Sequence, residues 1–576
     1  MGAIKIESFI GMIPAQDPSL LPNSAASDAI DAWISDGSLQ GWKAPVTIRP
    51  LSDPNASVVF RVPRSSEIGR APDFEGSRWF EFTDPFTDVV KSPLANDAHG
   101  RIYVASPSSP PKYISADRAS FGLDFLLLGI PAPDDALSVT APDWDTSAPH
   151  TVRSYVFTWV SEFGEEGPPS PAVTRTGNQV GSWDVAFPSV PPNLNAQRSI
   201  TKRRVYRTVT GSNGVADFYP VGDFGLSETA FSDTANDSDI TGLGALPSAS
   251  WTPPPALQGI VALPNGMLAG WVGSEVWFCE PYRPHAWPGK YALSFGFPIV
   301  GLGFSGVTLV VLTTGHPYAV TGSHPSQTQT VELNAPEPCL GRRSIVSSQD
   351  GVYYASPNGL VCATGALVFP ATHRFVRKTD WMTLTDPYSF RAVRVNASYT
   401  AIAAGSGNGV HIDTSDGKIV FVPMRQGGGW KNLIRDIWSS ELLLVGNGVV
   451  ARMDPTGDAP TIPFRWRSKI FQLPKKDNLG AAKVFFRVPP GSPPQGEEVA
   501  SPQTLSGSML GIIRMFASLD NGSTYTLVGA RELRRSGVII RLPSGFKSEF
   551  WQFEIEGRVD VSSVQLAVSA RELASV

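Results

Sequence analysis

Stretches with an apolar residue at every second position recur along the chain, as in Tyr155-Val156-Phe157-Thr158-Trp159-Val160, Val538–Leu542 and Trp551–Glu556. In the last of these, Trp551, Phe553 and Ile555 share one face of a two-residue period, the mark of a strand with one face in a core. Gly, Pro and Asn-Gly separate the stretches, a pattern that predicts many short strands joined by turns. The longest apolar run, Phe304 to Val311, has strand length. It is far short of the roughly 20 residues that a membrane helix needs, so no membrane-spanning segment is expected.

The punctuation divides the chain. Residues 1–57 read as an irregular N-terminal arm, with a short helix or turn at Ser27–Trp33 capped by Ser27. Residues 58–145 carry the first strands of a body, among them Val58–Phe60, Trp79–Phe82 and Arg101–Val104, and reach a stiff linker at Leu128–Pro133. Residues 146–250 read as an inserted β-sandwich of fibronectin-III type, with Gly211–Gly214 as a hairpin turn and Thr252–Pro255 as a stiff exit. Residues 251–465 repeat strand–turn–strand units at intervals of roughly 35 to 55 residues, which suggests propeller blades. One of those units turns at Ser415-Asp416-Gly417. Residues 466–576 read as a C-terminal sandwich of jelly-roll type, with Pro489–Gln503 as a loop. The expected fold is therefore all-β: a β-propeller-like body, an inserted fibronectin-III-like sandwich and a C-terminal jelly-roll-like β-sandwich.

Composition supports this. Charged residues are 17%, aromatic residues 10%, and Gly 54 plus Pro 51 exceed ordinary usage in 576 residues. That argues against a helical bundle, a coiled coil and a fibrous repeat. A net charge of -5 argues against a generally basic nucleic-acid binder. Three cysteines, Cys279, Cys339 and Cys362, cannot build a disulfide framework and fit buried or free thiols in a reducing compartment. Met1-Gly2-Ala3-Ile4-Lys5-Ile6 shows no basic segment leading into an apolar one, so the expectation is synthesis in a cytoplasm without a secretory signal.

Candidate chemistry is sparse. No GxxxxGK[ST] phosphate cradle occurs, and Gly301–Gly306 runs into a strand-like segment where a nucleotide site needs a helix. The seven histidines show no i,i+3 or i,i+4 pairing; His316, His324 and Cys339 are the nearest approach to a metal set, and ordinary loop histidines explain them. Asp233, Asn236, Asp237 and Asp239 crowd one loop with oxygens that calcium favours, but without the downstream glutamate of an EF-hand, so a solvated turn is the expectation. Glu165-Glu166 reads as a solvent-facing pair in a turn, and no GxSxG elbow is present. Ser518–Tyr525 is similar to the Asp-box of sialidase-type propellers, with Tyr525 where tryptophan is usual; its expected use is a turn capped by Asp520. No catalytic residue, cofactor or metal is assigned. The aromatic segment Trp271–Pro288 reads first as core and a proline-fixed loop, and second as a subunit or partner contact through Trp277, Tyr282, Arg283, His285 and Trp287.

A series of phrases carries a resemblance: Gly129–Pro133, Thr201–Thr208 (TKRRVYRT), Leu263–Gly270, Glu280–Pro288 (EPYRPHAWP), Val310–Tyr318, Tyr354–Val361, Trp466–Lys469 and Trp551–Gly557. Together they resemble the tail nozzle, or tail tubular protein B, family of short-tailed bacteriophages over about residues 100–576. The resemblance implies a non-enzymatic virion protein made in the host cytoplasm. It implies a ring, usually a hexamer, at the distal end of the tail, below an adaptor protein. It also implies docking of tail fibres or spikes, and a gated channel through which genomic DNA passes without sequence-specific binding. A neutral or acidic lumen would let DNA slide where a basic one would hold it. Two other readings stand beside this one: a carbohydrate-active propeller of sialidase or glycosidase type, and a glycan-binding receptor-recognition protein.

Overall fold

Strands account for most of the ordered backbone, and nearly all pair antiparallel in small sheets. The computed structural model describes the chain apart from residues 1–3, 36, 64–71, 143–144, 148, 211–215, 396, 414–419, 426, 454–457, 490–504, 506–508, 521 and 575–576. The turns expected at Gly211–Gly214 and Ser415–Gly417, and nearly all of the Pro489–Gln503 tract, lie outside the described residues. The chain divides into two units. One holds residues 1–85, 312–317 and 332–576; the other holds 86–311 and 318–331.

The second unit contains blade-like meanders, each a four-stranded sheet in chain order. The first is Asp88–Lys91, Ile102–Ser106, Ser109–Ile114 and Leu126–Leu127. The next is Gly259–Leu263, Met267–Val272, Glu275–Phe278 and Leu293–Ser294, followed by Ile299–Ser305, Thr308–Thr313, Tyr318–Thr321 and Gln329–Glu332. Gly306 thus turns one strand into another, and no helix follows the Gly301–Gly306 segment. Tyr103, Leu126, Ile260, Trp271, Phe278, Val311 and Val320 share one apolar cluster across these sheets.

Between the first two meanders sits a sandwich. Its four-stranded sheet runs in the order Val173–Asn178, His150–Ser161, Ile200–Thr210, Ala216–Gly225. Its three-stranded sheet is Ser138–Thr140, Trp183–Ala186, Ala230–Asp233. Tyr155, Phe157, Trp159, Trp183 and Val205 fill the space between them. The alternation visible in Tyr155–Val160 belongs to the long strand at the centre of this core.

The other unit repeats the meander at Val346–Pro370 and Phe390–Arg425. Val352–Ser356 and Gly359–Ala363 are buried at every position, because inner strands of such sheets are covered on both faces. A further meander, Trp430–Arg435, Leu442–Gly446 and Val449–Met453, takes its fourth strand, Val46–Pro50, from the beginning of the chain. The chain is thus all-β with a β-propeller-like set of four-stranded sheets.

The C-terminal region is a pair of six-stranded sheets around one core, with Trp466, Ile513, Trp551, Phe553, Ile555, Val561 and Leu566 inside. Here the first 57 residues depart from expectation. They are no irregular arm: Ile4–Ile6, Ala32–Ser35 and Ser38–Gly41 join one of these sheets and Ala26–Ile30 the other. The helix or turn expected at Ser27–Trp33 is two strands with Asp31, at φ 54°, as the corner. Ser27 Oγ donates to the Ser468 carbonyl at 2.8 Å instead of capping a helix. Pairing with Phe464–Ser468 and burial of Ala26, Ala29 and Ala32 outweigh local propensity. The Asp-box is the expected turn: Asp520 accepts from the Thr524 backbone N–H at 2.8 Å and hydroxyl at 2.7 Å. Those bonds, the Thr524 hydroxyl foremost, hold its carboxyl down at about 2.

Candidate functional site

Three of the phrases singled out in the sequence, Gly129–Pro133, Thr201–Thr208 and Glu280–Pro288, converge within the second unit, where the sandwich is joined to the meanders. The entry linker crosses the exit linker at Gly129, whose φ is 82° and where a Cβ would lie 2.6 Å from Pro253 Cα. Only glycine allows that crossing. Arg198, from the sandwich, donates to the Leu128 carbonyl at 3.2 Å and to that of Gly129. Residues of this joint pack closely, and a charge cluster lies within it.

Arg101, at the start of a meander strand, donates to Asp97 at 2.9 Å and to Glu165 of the sandwich. His285, in the EPYRPHAWP loop, sets Nδ1 3.5 Å from the same Glu165 oxygen. All four side chains are less than a tenth exposed. Burial is the largest influence on Glu165 and pushes its carboxyl up, but the His285 and Arg101 partners outweigh it and hold the group below the ordinary carboxylate range. The reading of Glu165-Glu166 as a solvent-facing pair is therefore corrected. Glu166 is buried as well; it accepts from Thr158 at 2.9 Å, Tyr206 at 2.7 Å and Ser248 at 3.1 Å, and pairs with Arg204 at 3.2 Å. Of the Glu166 partners only Thr158 is near in the chain; Arg204, Tyr206 and Ser248 lie some 40 to 80 residues away, so the dipeptide's neighbours did not announce them. The nearest clue was Arg204 and Tyr206 on one face of TKRRVYRT.

The five candidate contact residues separate by burial. Trp287 is fully buried, donates Nε1–H to the Pro284 carbonyl at 2.9 Å and exchanges backbone and hydroxyl bonds with Thr252. His285 is 4% exposed and meets Trp251 edge-on. These two fix the loop from inside and are corrected as surface contacts. Trp277 is half-buried, its Nε1–H on Glu275 at 3.2 Å. Arg283 is exposed and lies over the Trp251 ring at 4.5 Å. Tyr282 is 70% exposed at φ 60° and donates its backbone N–H to Gly266 at 3.0 Å. Its ring lies against Gly266, where a Cβ would come within 2.6 Å of it. Tyr282 and Arg283 are thus the part of the loop presented outward.

Beside this loop is a cavity of about 320 Å³. Leu263, Met267, Phe278, Leu309 and Val320 form its apolar wall, with Ser323 and Thr328 at its edge. A second cavity, of about 430 Å³, lies in the sandwich against Glu166, Arg204, Tyr206 and Asp223. Its two carboxylates are both held by Arg204, Asp223 at 2.6 Å.

The aspartate loop is also accounted for. Asp233 accepts from Tyr155 at 2.8 Å and faces Arg207 at 3.5 Å; Asp237 pairs with Arg207 at 2.9 Å, and Arg153 stands 4.0 Å and 3.9 Å from the two. Two guanidinium groups occupy the place a cation would take. His324 engages Ser326 at 2.8 Å, His316 lies 3.9 Å from Glu332, and Cys339 is buried against the Gly341 carbonyl. Among the described residues, no group of three or more His, Cys, Asp or Glu is placed to hold a metal ion.

No protein-family model and no curated protein matches the chain. Solved structures similar to it include the crystal structures of BBS1N in complex with ARL6DN, soaked with mercury and with lead. They are 10% and 11% identical, cover 72% of this chain and 98% and 99% of theirs, and have a TM-score of 0.27. A likeness at that level bears on neither mechanism nor partners.

Proposed function

We propose that the chain is a structural virion protein that forms the distal ring, or nozzle, of a short bacteriophage tail. In this reading the ring, of six copies by the resemblance, is a conduit and gate for genomic DNA and a platform for tail fibres or spikes, attached below an adaptor protein. The observation that carries the reading is the joint in the second unit. TKRRVYRT, the Gly129–Pro133 linker and EPYRPHAWP, three of the phrases that resemble tail proteins, meet there: His285 of the last, with Arg101, holds Glu165 of the sandwich, and Arg204 of the first holds the adjacent Glu166. A buried charge cluster with each carboxylate engaged by arginine or histidine suits a part that must keep its shape under load. The chain's net charge of -5 suits a passage that DNA traverses without being held.

Imaging of intact particles tests the reading. The expected result is density for this chain as a ring on the tail axis. A location away from the axis, or turnover of a glycan panel by the isolated chain, overturns it. Native mass spectrometry of the purified chain supplies the number of copies in the ring.

A further inference from the structure

The outer face of the sandwich carries a polar cavity. Val205 belongs to the core, so its neighbours Arg204 and Tyr206 stand on the opposite face of the strand Ile200–Thr210. Arg204 lies directly across from Asp223 on the strand Ala216–Gly225. Residues 243–247, which follow the short helix Asp237–Thr241, form the third side, and Leu246 N–H ties them to the Phe218 carbonyl at 2.8 Å. The cavity so enclosed measures about 430 Å³, within the range of small-ligand sites.

Its polar side chains are fixed by one another. Glu166, 4% exposed, accepts the Thr158, Tyr206 and Ser248 hydroxyls on Oε1 and turns Oε2 to Arg204 at 3.2 Å. Arg204 forks onto both oxygens of Asp223 at 2.6 and 3.0 Å, and Lys202 reaches Asp223 at 2.5 Å. The Arg204 and Asp223 side chains stay 32% and 33% exposed, open to the cavity. The titratable side chains that line it are Glu166, Arg204, Tyr206 and Asp223. With Lys202 behind Asp223, two carboxylates meet two cations, so the floor offers donors and acceptors without net charge. Leu243, 68% exposed, supplies an apolar side together with Pro220 and Pro247.

We propose that this cavity binds a neutral saccharide. A body that covers Leu243 and the prolines also strips water from Arg204 and Asp223, which must then regain hydrogen bonds. A hydrocarbon supplies none. An anion meets Glu166 and Asp223, and a cation meets Arg204 and Lys202, so neither gains enough from a balanced floor to offset its own desolvation. A sugar ring joins a C–H surface to a rim of hydroxyls, which donate to the carboxylates and accept from the guanidinium in charge-assisted bonds. Side chains already locked by one another lose little freedom on binding. Both carboxylates are held as acceptors by Arg204, so binding without hydrolysis is expected. The site goes beyond the tail reading and does not depend on it.

Saturation-transfer NMR on the full chain tests it. The neutral probes are glucose, galactose, mannose, N-acetylglucosamine and rhamnose at millimolar concentration, with glucuronate and glucosamine as charged counterparts. At least one neutral sugar is expected to receive saturation, and to bind more tightly than either charged one. Ala245→Trp, at an exposed position lining the cavity, fills it and should abolish the transfer. Asp223→Asn keeps the outline but removes the acceptor charge, and should weaken binding at least tenfold. Melting temperatures identify which variants stay folded, and one folded variant suffices. No transfer to any of the five sugars, transfer unaffected in a folded variant, or a charged sugar bound more tightly than all five overturns the proposal. Particle imaging tests the tail reading separately, so either can fail without the other.

Discussion

Arg101 and Glu165, one from a meander and one from the inserted sandwich, form a buried ion pair with both side chains less than a tenth exposed. Removing one partner leaves the other charged and desolvated, which costs about 3–5 kcal/mol. Arg101→Met and Glu165→Gln should each lower the stability of the second unit by several kcal/mol. The double variant should lose less than the sum, with coupling above about 1 kcal/mol. A double-mutant cycle by chemical denaturation reads this; additive losses would show that the two residues act independently.

His411 gives the other unit an acid sensitivity. The ring is fully buried between Trp33, at 4.6 Å, and Trp42, at 5.4 Å, with Thr400 on Nδ1 at 2.9 Å. Burial pushes it down to about 4. A folded value below the unfolded one means that the unfolded chain binds more protons between about pH 6.5 and 4, so stability rises with pH across that window and is complete above it. The loss on acidification approaches about 3 kcal/mol. Asp31, raised mainly by burial, acts in the opposite sense, since its protonation is easier in the folded chain. Hydrogen-exchange protection factors in Phe390–Arg425, observed rates taken relative to the intrinsic rate at each pH from 7 to 4, should fall in the native chain and stay flatter in His411→Asn.

Gly266 and Tyr282 are coupled by contact. Gly266→Ala meets both a φ of 80° and a tyrosine ring 2.6 Å from the new Cβ. The expected cost is about 1–3 kcal/mol. Tyr282→Ala in that background should recover the steric part and leave the backbone part. Melting temperatures of the four proteins test it, and a full loss that persists without the tyrosine ring would place the strain elsewhere.

Calcium should not stabilise the aspartate loop, because Arg153 and Arg207 already neutralise Asp233 and Asp237. A ligand that binds only the folded state stabilises it by RT ln(1 + [L]/Kd) and so raises the melting temperature as its concentration exceeds Kd. Millimolar calcium or a chelator should leave the transition of the sandwich in place. A calcium-dependent rise of several degrees would mean that oxygen ligands outcompete the guanidinium groups.

Where local pattern settled a feature, sequence and structure agree. Trp551, Phe553 and Ile555 face a core, Tyr155–Val160 is a central strand, and Ser518–Tyr525 is a turn, because alternation and capping chemistry act over a few residues. Partnerships across long separations were not legible. Glu165 and Glu166 looked solvated because their arginines and tyrosine are distant in the chain, and the first 57 residues looked irregular because all their strands but Ala32–Ser35 pair with residues above 440.

The exposed Tyr282–Arg283 apex and the buried His285–Trp287 base are neighbours in one loop of uniform aromatic character. The amino-acid order by itself determined that this chain is all-β, with short strands, frequent turns and blade-like repetition, since side-chain alternation and glycine or proline placement are local physics. Tertiary structure alone decided which charges are buried, which aromatic residues reach solvent and which strands complete which sheets. Burial and ion pairing are properties of surfaces brought together from far apart in the chain.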